Sequence, residues 1–319
     1  MKFINKYSKA LKLIAKIVLS AAALYYVFKK IDYRETLDAV MGIKVSYLIL
    51  SILLYALSQV ISSFRLYNFY KYVPVRIGST ANLKLYWLGM FYNMFLPGGV
   101  GGDGYKVFLL NKYRNTSVKK LIGTVFADRL SGLAVIVVYI CALVYFIDYD
   151  LGKADVPEDG VKIVHDILLW INPFLKYFVV FIPVIAVGYY WYLKVFSSHL
   201  APSTWKVFGL SLVIQGLQML SAILILKSMG TELAGRQDDY LFLFFLSSIM
   251  SAIPISLGGL GLREMTFMYG SQYLGLNLDH AVALSIIFYL ISLFISLFGG
   301  YYAYKPAVIF EKDSFEMEE

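Results

Sequence analysis

Long apolar runs separated by short basic or mixed segments set the pattern of this 319-residue chain. Six uninterrupted runs, at 11–28, 46–64, 121–147, 174–193, 207–226 and 281–304, approach the ~20 apolar residues that cross a bilayer. Each predicts a transmembrane helix, the fourth with Pro173 near its start and a kink at Pro183. Two further runs are interrupted. Run 81–110 stops at Leu96 and passes through Pro97, Gly98, Gly99, Gly101, Gly102 and Gly104 before it resumes. Run 240–274 breaks at Pro254, Gly258, Gly259 and Gly261. Residues 81–96 would extend only ~24 Å as a helix, so two half-helices meeting at a break inside the bilayer describe this run better than one crossing.

Charge placement gives the topology. Segments 1–16, 65–84 and 106–120 are basic and contain no acid. Both ends of the run 81–110 therefore face one side, which makes it a re-entrant hairpin. Putting the basic segments inside places both termini in the cytoplasm, as the positive-inside bias requires. Segment 29–45, whose spacing predicts a short interfacial helix, departs from that bias with four basic residues; segment 148–166 is acid-rich. The first run continues past Ala21-Ala22-Ala23, which predicts an uncleaved helix rather than a signal peptide. Residues 305–319 form a cytoplasmic tail, and the expected location is the plasma (inner) membrane.

Composition agrees: 59% of residues are hydrophobic and 16% charged, against about 25% charged in soluble domains. Many of the 27 tyrosines and 23 phenylalanines sit at run ends, as in interfacial aromatic belts. The net charge of +8 is accounted for by topology, so no nucleic-acid partner is expected. One cysteine, Cys141, forms no disulfide framework, and His165, His199 and His280 lack metal-ligand spacing. No metal or cofactor is expected.

The chain also repeats. An offset of 157 places Pro97 on Pro254, Gly101-Gly102 on Gly258-Gly259, Gly104 on Gly261 and Lys106 on Arg263, and Gln59 falls within a residue of Gln215. Each half reads helix, helix, broken hairpin, helix and crosses three times, so the second half must be inverted. The expected fold is all-α and polytopic: one membrane domain over 1–319, six transmembrane helices and two re-entrant broken-helix hairpins. Repeat one covers 1–147 and repeat two 166–304. Inverted repeats with facing broken helices are a transporter layout, and the breaks point to the binding site.

The pieces FYNMFLPGGVGGDGYKVFLL, ADRLSGLAVIV and IPISLGGLGLRE resemble the lysylphosphatidylglycerol synthase transmembrane, or flippase-like, family. That family includes the flippase domain of the bacterial multiple peptide resistance factor. The resemblance covers nearly the whole chain and implies membrane lipid handling. It does not imply synthesis, because the soluble aminoacyl-transfer domain would follow the membrane region, and the chain ends at Glu319.

Charged residues beside the breaks are the candidate site. Lys106 and Arg263 follow the breaks in the first helical turn, where a cation opposes the helix dipole unless an anion is bound. A lipid phosphate is the candidate anion, with Arg129 and Asn93 as further headgroup contacts; Asn93 is alternatively a brace for the break. Asp103, Asp128, Glu264 and Arg65 are candidates for ion pairing or proton coupling. Asp103 precedes a helix, where aspartate is a favoured N-cap. Crossed pairs Asp128–Lys106 and Arg129–Asp103 are expected, since adjacent helix residues do not face one another. By the same rule Glu264 should pair away from Arg263, with Arg65 or Arg129. Arg65 itself ends a run and reads as an interfacial anchor. Gln59, Gln215 and Gln218 read as interhelical glue.

The leading expectation is a non-enzymatic flippase-type protein moving or binding an anionic or phosphate-bearing lipid between leaflets, with membrane phospholipid as partner. A homodimer is carried as an open alternative for its assembly. The alternatives in function are a membrane-embedded lipid-linked glycosyl- or phospholipid-transferase and a non-catalytic envelope scaffold. The sequence has no G-x-x-x-x-G-K-[ST] loop, so transport would be facilitated or ion-coupled, with Asp128 and Glu264 as proton-carrier candidates.

Overall fold

A membrane interior offers no water to the backbone, so a chain this apolar must satisfy its own N–H and C=O groups within helices. The computed structural model describes residues 42–95, 100–146, 172–231, 233, 235–253 and 259–311, with isolated positions between 18 and 29. Among these residues the chain is all-α, without strands. The α-helices are α1 (Val45–Tyr70), α2 (Ser79–Phe95), α3 (Gly101–Arg114), α4 (Val118–Phe146), α5 (Phe181–Phe196), α6 (Thr204–Ser228), α7 (Gln237–Ala252), α8 (Leu262–Leu274), α9 (Leu278–Leu297) and the short α10 (Gly300–Tyr304). Turns of 3-10 helix precede α5 and α6 and follow α10.

Among the described residues, five segments are long and apolar enough to cross a membrane: Val45–Tyr70, Val118–Phe146, Tyr177–Phe196, Ser198–Ser228 and Leu278–Leu297. The chain is a multi-pass membrane protein. The expected crossing at 11–28 lies outside the described residues save for isolated positions, one of which, Val27, packs with Met268 and Val282. Also outside them are most of segment 29–45, all of segment 148–166, the break residues Pro97, Gly98, Gly99, Pro254 and Gly258, and residues 312–319.

Three boundaries differ from the apolar runs. α1 continues to Tyr70, so Arg65 lies inside a helix rather than at its end. Pro183 falls in the first turn of α5, where a missing N–H has no intrahelical partner to lose; the irregularity precedes it, as 3-10 turns over Asn172–Val180. The last run stops at Leu297 and restarts at Gly300. There the chain crosses α2 so closely that a Cβ on Gly299 would overlap the Trp87 carbonyl.

α2 and α3, of 17 and 14 residues, extend only ~26 and ~21 Å, short of the ~30 Å hydrocarbon core. They pack against each other, as do α7 and α8, of 16 and 13 residues. α4 packs on α7 and α9 on α2, so each long helix touches the opposite pair. α1 and α6 form the most extensive helix pair and run antiparallel: Ser51 meets Ser221 at 2.8 Å, Ser58 meets Gln218 at 3.4 Å, and Arg65 meets Ser211 at 3.0 Å. The largest core cluster surrounds Tyr55, Phe244, Phe245, Phe267 and Phe288. α9 is the most enclosed span, 56% of it buried, whereas the span containing α5 is 11% buried and faces outward.

The order of elements recurs. α1, α2, α3 and α4 start at Val45, Ser79, Gly101 and Val118; α6, α7, α8 and α9 start at Thr204, Gln237, Leu262 and Leu278. α3 and α8 both end on a left-handed residue, Asn115 at φ 52° and Gly275 at φ 60°, the usual helix C-cap conformation.

The α2–α3 contact depends on one glycine. A Cβ on Gly102 would overlap the Gly89 carbonyl of α2, whereas one on Gly104 meets nothing within 4 Å. Gly102→Ala is therefore expected to lower stability by ~1–3 kcal/mol, and Gly104→Ala to be neutral or stabilising by up to ~1 kcal/mol. Thermal unfolding of the two purified variants in one detergent checks the contrast.

Candidate functional site

Five charged side chains gather where α1, α3 and α4 approach one another, and two more, Arg263 and Glu264, lie in the first turn of α8 beside α9. Asp128 and Arg129 are neighbours on α4, and the helix sends them to different partners. Asp128 accepts a two-pronged bond from Arg65 of α1, Nε to Oδ1 at 2.8 Å and Nη2 to Oδ2 at 3.0 Å. Both residues are buried. The third arm of the guanidinium, Nη1, donates to Ser211 of α6 at 3.0 Å, and Ser211 donates to Ser131 of α4 at 3.3 Å. Gly132 leaves the room for this arrangement, since a Cβ there would come within 3.3 Å of Arg65 Nη1. The planar fork of arginine matches a carboxylate in this geometry, and lysine would not replace it.

Arg129 turns to α3 and donates from Nε to Asp103 Oδ2. The other oxygen of Asp103 receives Lys106 Nζ at 2.7 Å. Asp103 is thus shared by two cations. Lys106 is buried, its ammonium 5.0 Å from the centroid of the Tyr86 ring and its stem laid against Gly89. The arrangement is held in place by Asn93 of α2, whose Oδ1 accepts the Gly102 N–H at 2.8 Å. A side chain from α2 therefore caps the start of α3.

The second pair of short helices, α7 and α8, is built differently. Glu264, third in α8, reaches back to accept the Gly261 N–H at 2.7 Å, and its other oxygen accepts Ser285 Oγ of α9 at 3.0 Å. Such back-bonding from the third position satisfies a helix N-terminus. Gly259 and Gly261 lie at φ 88° and 87°, backbone that a side chain would strain. Arg263 is buried, with its guanidinium 5.1 Å over the Phe288 ring, and its Nε and Nη2 find no acceptor among the described residues.

Several expectations change accordingly. Arg65 is a buried ion-pair partner, not an interfacial anchor, because α1 continues past it. Asp128 pairs with Arg65 rather than Lys106, whereas Arg129 does meet Asp103. Asp103 is not an N-cap: α3 starts two residues earlier at Gly101, after Val100. Glu264 is bonded within its own turn and to α9 rather than to Arg65 or Arg129. The level pairing of Lys106 with Arg263 also shifts. More chain separates α7 from α8 than α2 from α3, so the first turn of α3 holds Asp103 where that of α8 holds Arg263 and Glu264. Gly101, Gly102 and Gly104 lie inside α3, and Gly259 and Gly261 in the turn before α8.

Sequence patterns did not single out Ser131, Ser211, Ser285, Tyr86, Gly89 or Phe288. Serines and aromatics are abundant throughout the chain, and nothing in their spacing marks these as the ones that meet charges. Among the described residues, no group of three or more His, Cys, Asp or Glu side chains could hold a metal ion.

Breaking the buried pair should be costly. Arg65→Leu strands a carboxylate and is expected to lose ~3–5 kcal/mol, and Arg65→Leu with Asp128→Leu to recover most of it. A double-mutant cycle from unfolding in mixed micelles measures both.

A family model described as "Lysylphosphatidylglycerol synthase TM region" matches residues 13–300. A UPF0104 membrane protein of Methanocaldococcus jannaschii is 28% identical over 230 residues, covering 66% of this chain and 92% of that protein. A UPF0104 membrane protein of Pyrococcus horikoshii is 29% identical over 108 residues, 33% of this chain and 32% of that protein.

Proposed function

Because the chain belongs to the family of the lysylphosphatidylglycerol synthase TM region, we propose that it is a flippase-like protein that binds an anionic, phosphate-bearing lipid and moves it between leaflets. The observation that carries this reading is Arg263. Four cations at the site, Arg65, Lys106, Arg129 and Arg263, stand against three carboxylates, Asp103, Asp128 and Glu264. Asp128 is matched to Arg65, and Asp103 to Lys106 and Arg129. Glu264 spends both oxygens on neutral donors. Arg263 is left buried with idle nitrogens, a state that costs several kcal/mol unless an anion completes it. A lipid phosphodiester presents two anionic oxygens to such a guanidinium.

In this reading α2–α3 and α7–α8 are re-entrant hairpins of an inverted repeat, over 81–110 and 240–274, in halves 1–147 and 166–304. Support comes from helices too short to cross alone, from the matching order of elements, and from the antiparallel packing of α1 on α6. Facing broken helices place a substrate site at mid-membrane. Both termini are assigned to the cytoplasm on the basic-segment bias. The function needs no covalent step from these residues.

Transfer of fluorescent phosphatidylglycerol between leaflets of reconstituted vesicles tests the proposal. Arg263→Gln is expected to slow transfer ~10-fold or more while the protein stays folded by circular dichroism. Unchanged transfer in a folded Lys106→Gln, Arg129→Gln, Arg263→Gln triple variant would overturn it.

A further inference from the structure

The two hairpins meet the same physical problem, a cation within buried surroundings near a helix start, and solve it differently. At α8 the cation Arg263 has no acceptor for two of its nitrogens among the described residues. At α3 the cations Lys106 and Arg129 converge on one carboxylate, that of Asp103, each taking a different oxygen. A carboxylate held between two cations by its two oxygens occupies the place that two oxygens of a phosphate would take. Asp103 and Lys106 are buried, and the Arg129 side chain is 38% exposed, so this cluster opens on the side of Arg129.

We propose that Asp103 is a built-in counter-anion that closes a second anion site, formed by Lys106 and Arg129, so that the protein in this state takes one anionic group, at Arg263. The ligand class is a singly charged phosphodiester or a phosphate with two free oxygens, able to bridge two donors. This rests on the reading of Arg263 as an anion site and adds a regulator to it: the first hairpin accepts the anion only when Asp103 withdraws. The exchange breaks no covalent bond. One two-oxygen acceptor replaces another between the same pair of cations.

The remaining network separates this from a purely structural role. Arg65 and Asp128 pair independently of Asp103, and Asn93 holds the start of α3 through the Gly102 N–H. Removing the Asp103 charge therefore leaves both clamps in place while taking from Lys106 and Arg129 the carboxylate they share.

Native mass spectrometry in micelles with dioctanoyl phosphatidylglycerol counts the bound anions, with inorganic phosphate by calorimetry as the second probe. Wild type should hold one lipid, Asp103→Asn two, Arg263→Gln none, and the Asp103→Asn, Arg263→Gln double variant one. Asp103→Glu, which keeps the charge, should stay at one. Thermal stability gives a second reading. Asp103→Asn should melt below wild type without ligand and be raised more by the lipid, and Asp103→Ser is the replacement if the asparagine variant does not fold. A rise with the lipid alone assigns the site to a headgroup, and a rise with phosphate alone assigns it to a free anion. Either supports the closed site, whereas no more anions bound by Asp103→Asn than by wild type, with both probes, overturns it. Equal binding by wild type and Arg263→Gln would instead remove the Arg263 anion site, a result that the counts from the Asp103 variants do not reproduce.

Discussion

A buried arginine and aspartate that meet face to face are tolerated only when their geometry is complete, and the Arg65–Asp128 pair is the contact on which the rest of this structure depends. Desolvating two charges costs several kcal/mol per ion, and the pair returns this only if its spare donors are also used. Here they are: Ser211 takes the third arm of Arg65, and Ser131 receives the Ser211 hydroxyl. One pair thereby fixes α1, α4 and α6 relative to one another. With that frame set, Arg129 is presented to α3, and the Asp103 cluster follows.

The antiparallel α1–α6 contact supplies the surface on which this frame rests. Between helices in lipid there is no hydrophobic gain from association, so small residues and hydroxyls that admit close backbones carry the packing. Ser51 and Ser221 meet there, each also within 3.1 Å of the other's carbonyl oxygen. Asn82 ties α2 to the same seam through the Ser63 carbonyl at 2.8 Å. α2 is therefore held to this seam by polar contacts.

Much of the architecture was legible because apolar length has a direct physical meaning in a bilayer: the runs beginning near residues 46, 121, 207 and 281 each correspond to a helix. The glycines of 97–104 marked a break in the apolar run, though not that Gly102 meets Gly89. The site was legible in composition but not in wiring. An Arg at the end of an apolar run looks like an anchor. Only the continuation of α1 through polar-looking residues to Tyr70 buries Arg65, and that continuation is set by tertiary packing. Likewise a constant offset pairs Lys106 with Arg263. The chain between α7 and α8 moves the helix start, and spacing alone cannot say where a helix begins after a run of glycines.

Asp128 and Arg129 are consecutive, so their side chains leave α4 roughly 100° apart around its axis and only ~1.5 Å apart along it. α1 and α3 are consequently bolted to α4 at the same height, and α4 can neither turn nor slide to slacken one bond without loading the other. Among the described residues α8 has no such ionic fastening; Glu264 meets α9 through a hydroxyl, Ser285. The ionic fastening to α4 thus falls on α1 and α3, and α8 is tied to α9 by a neutral donor instead.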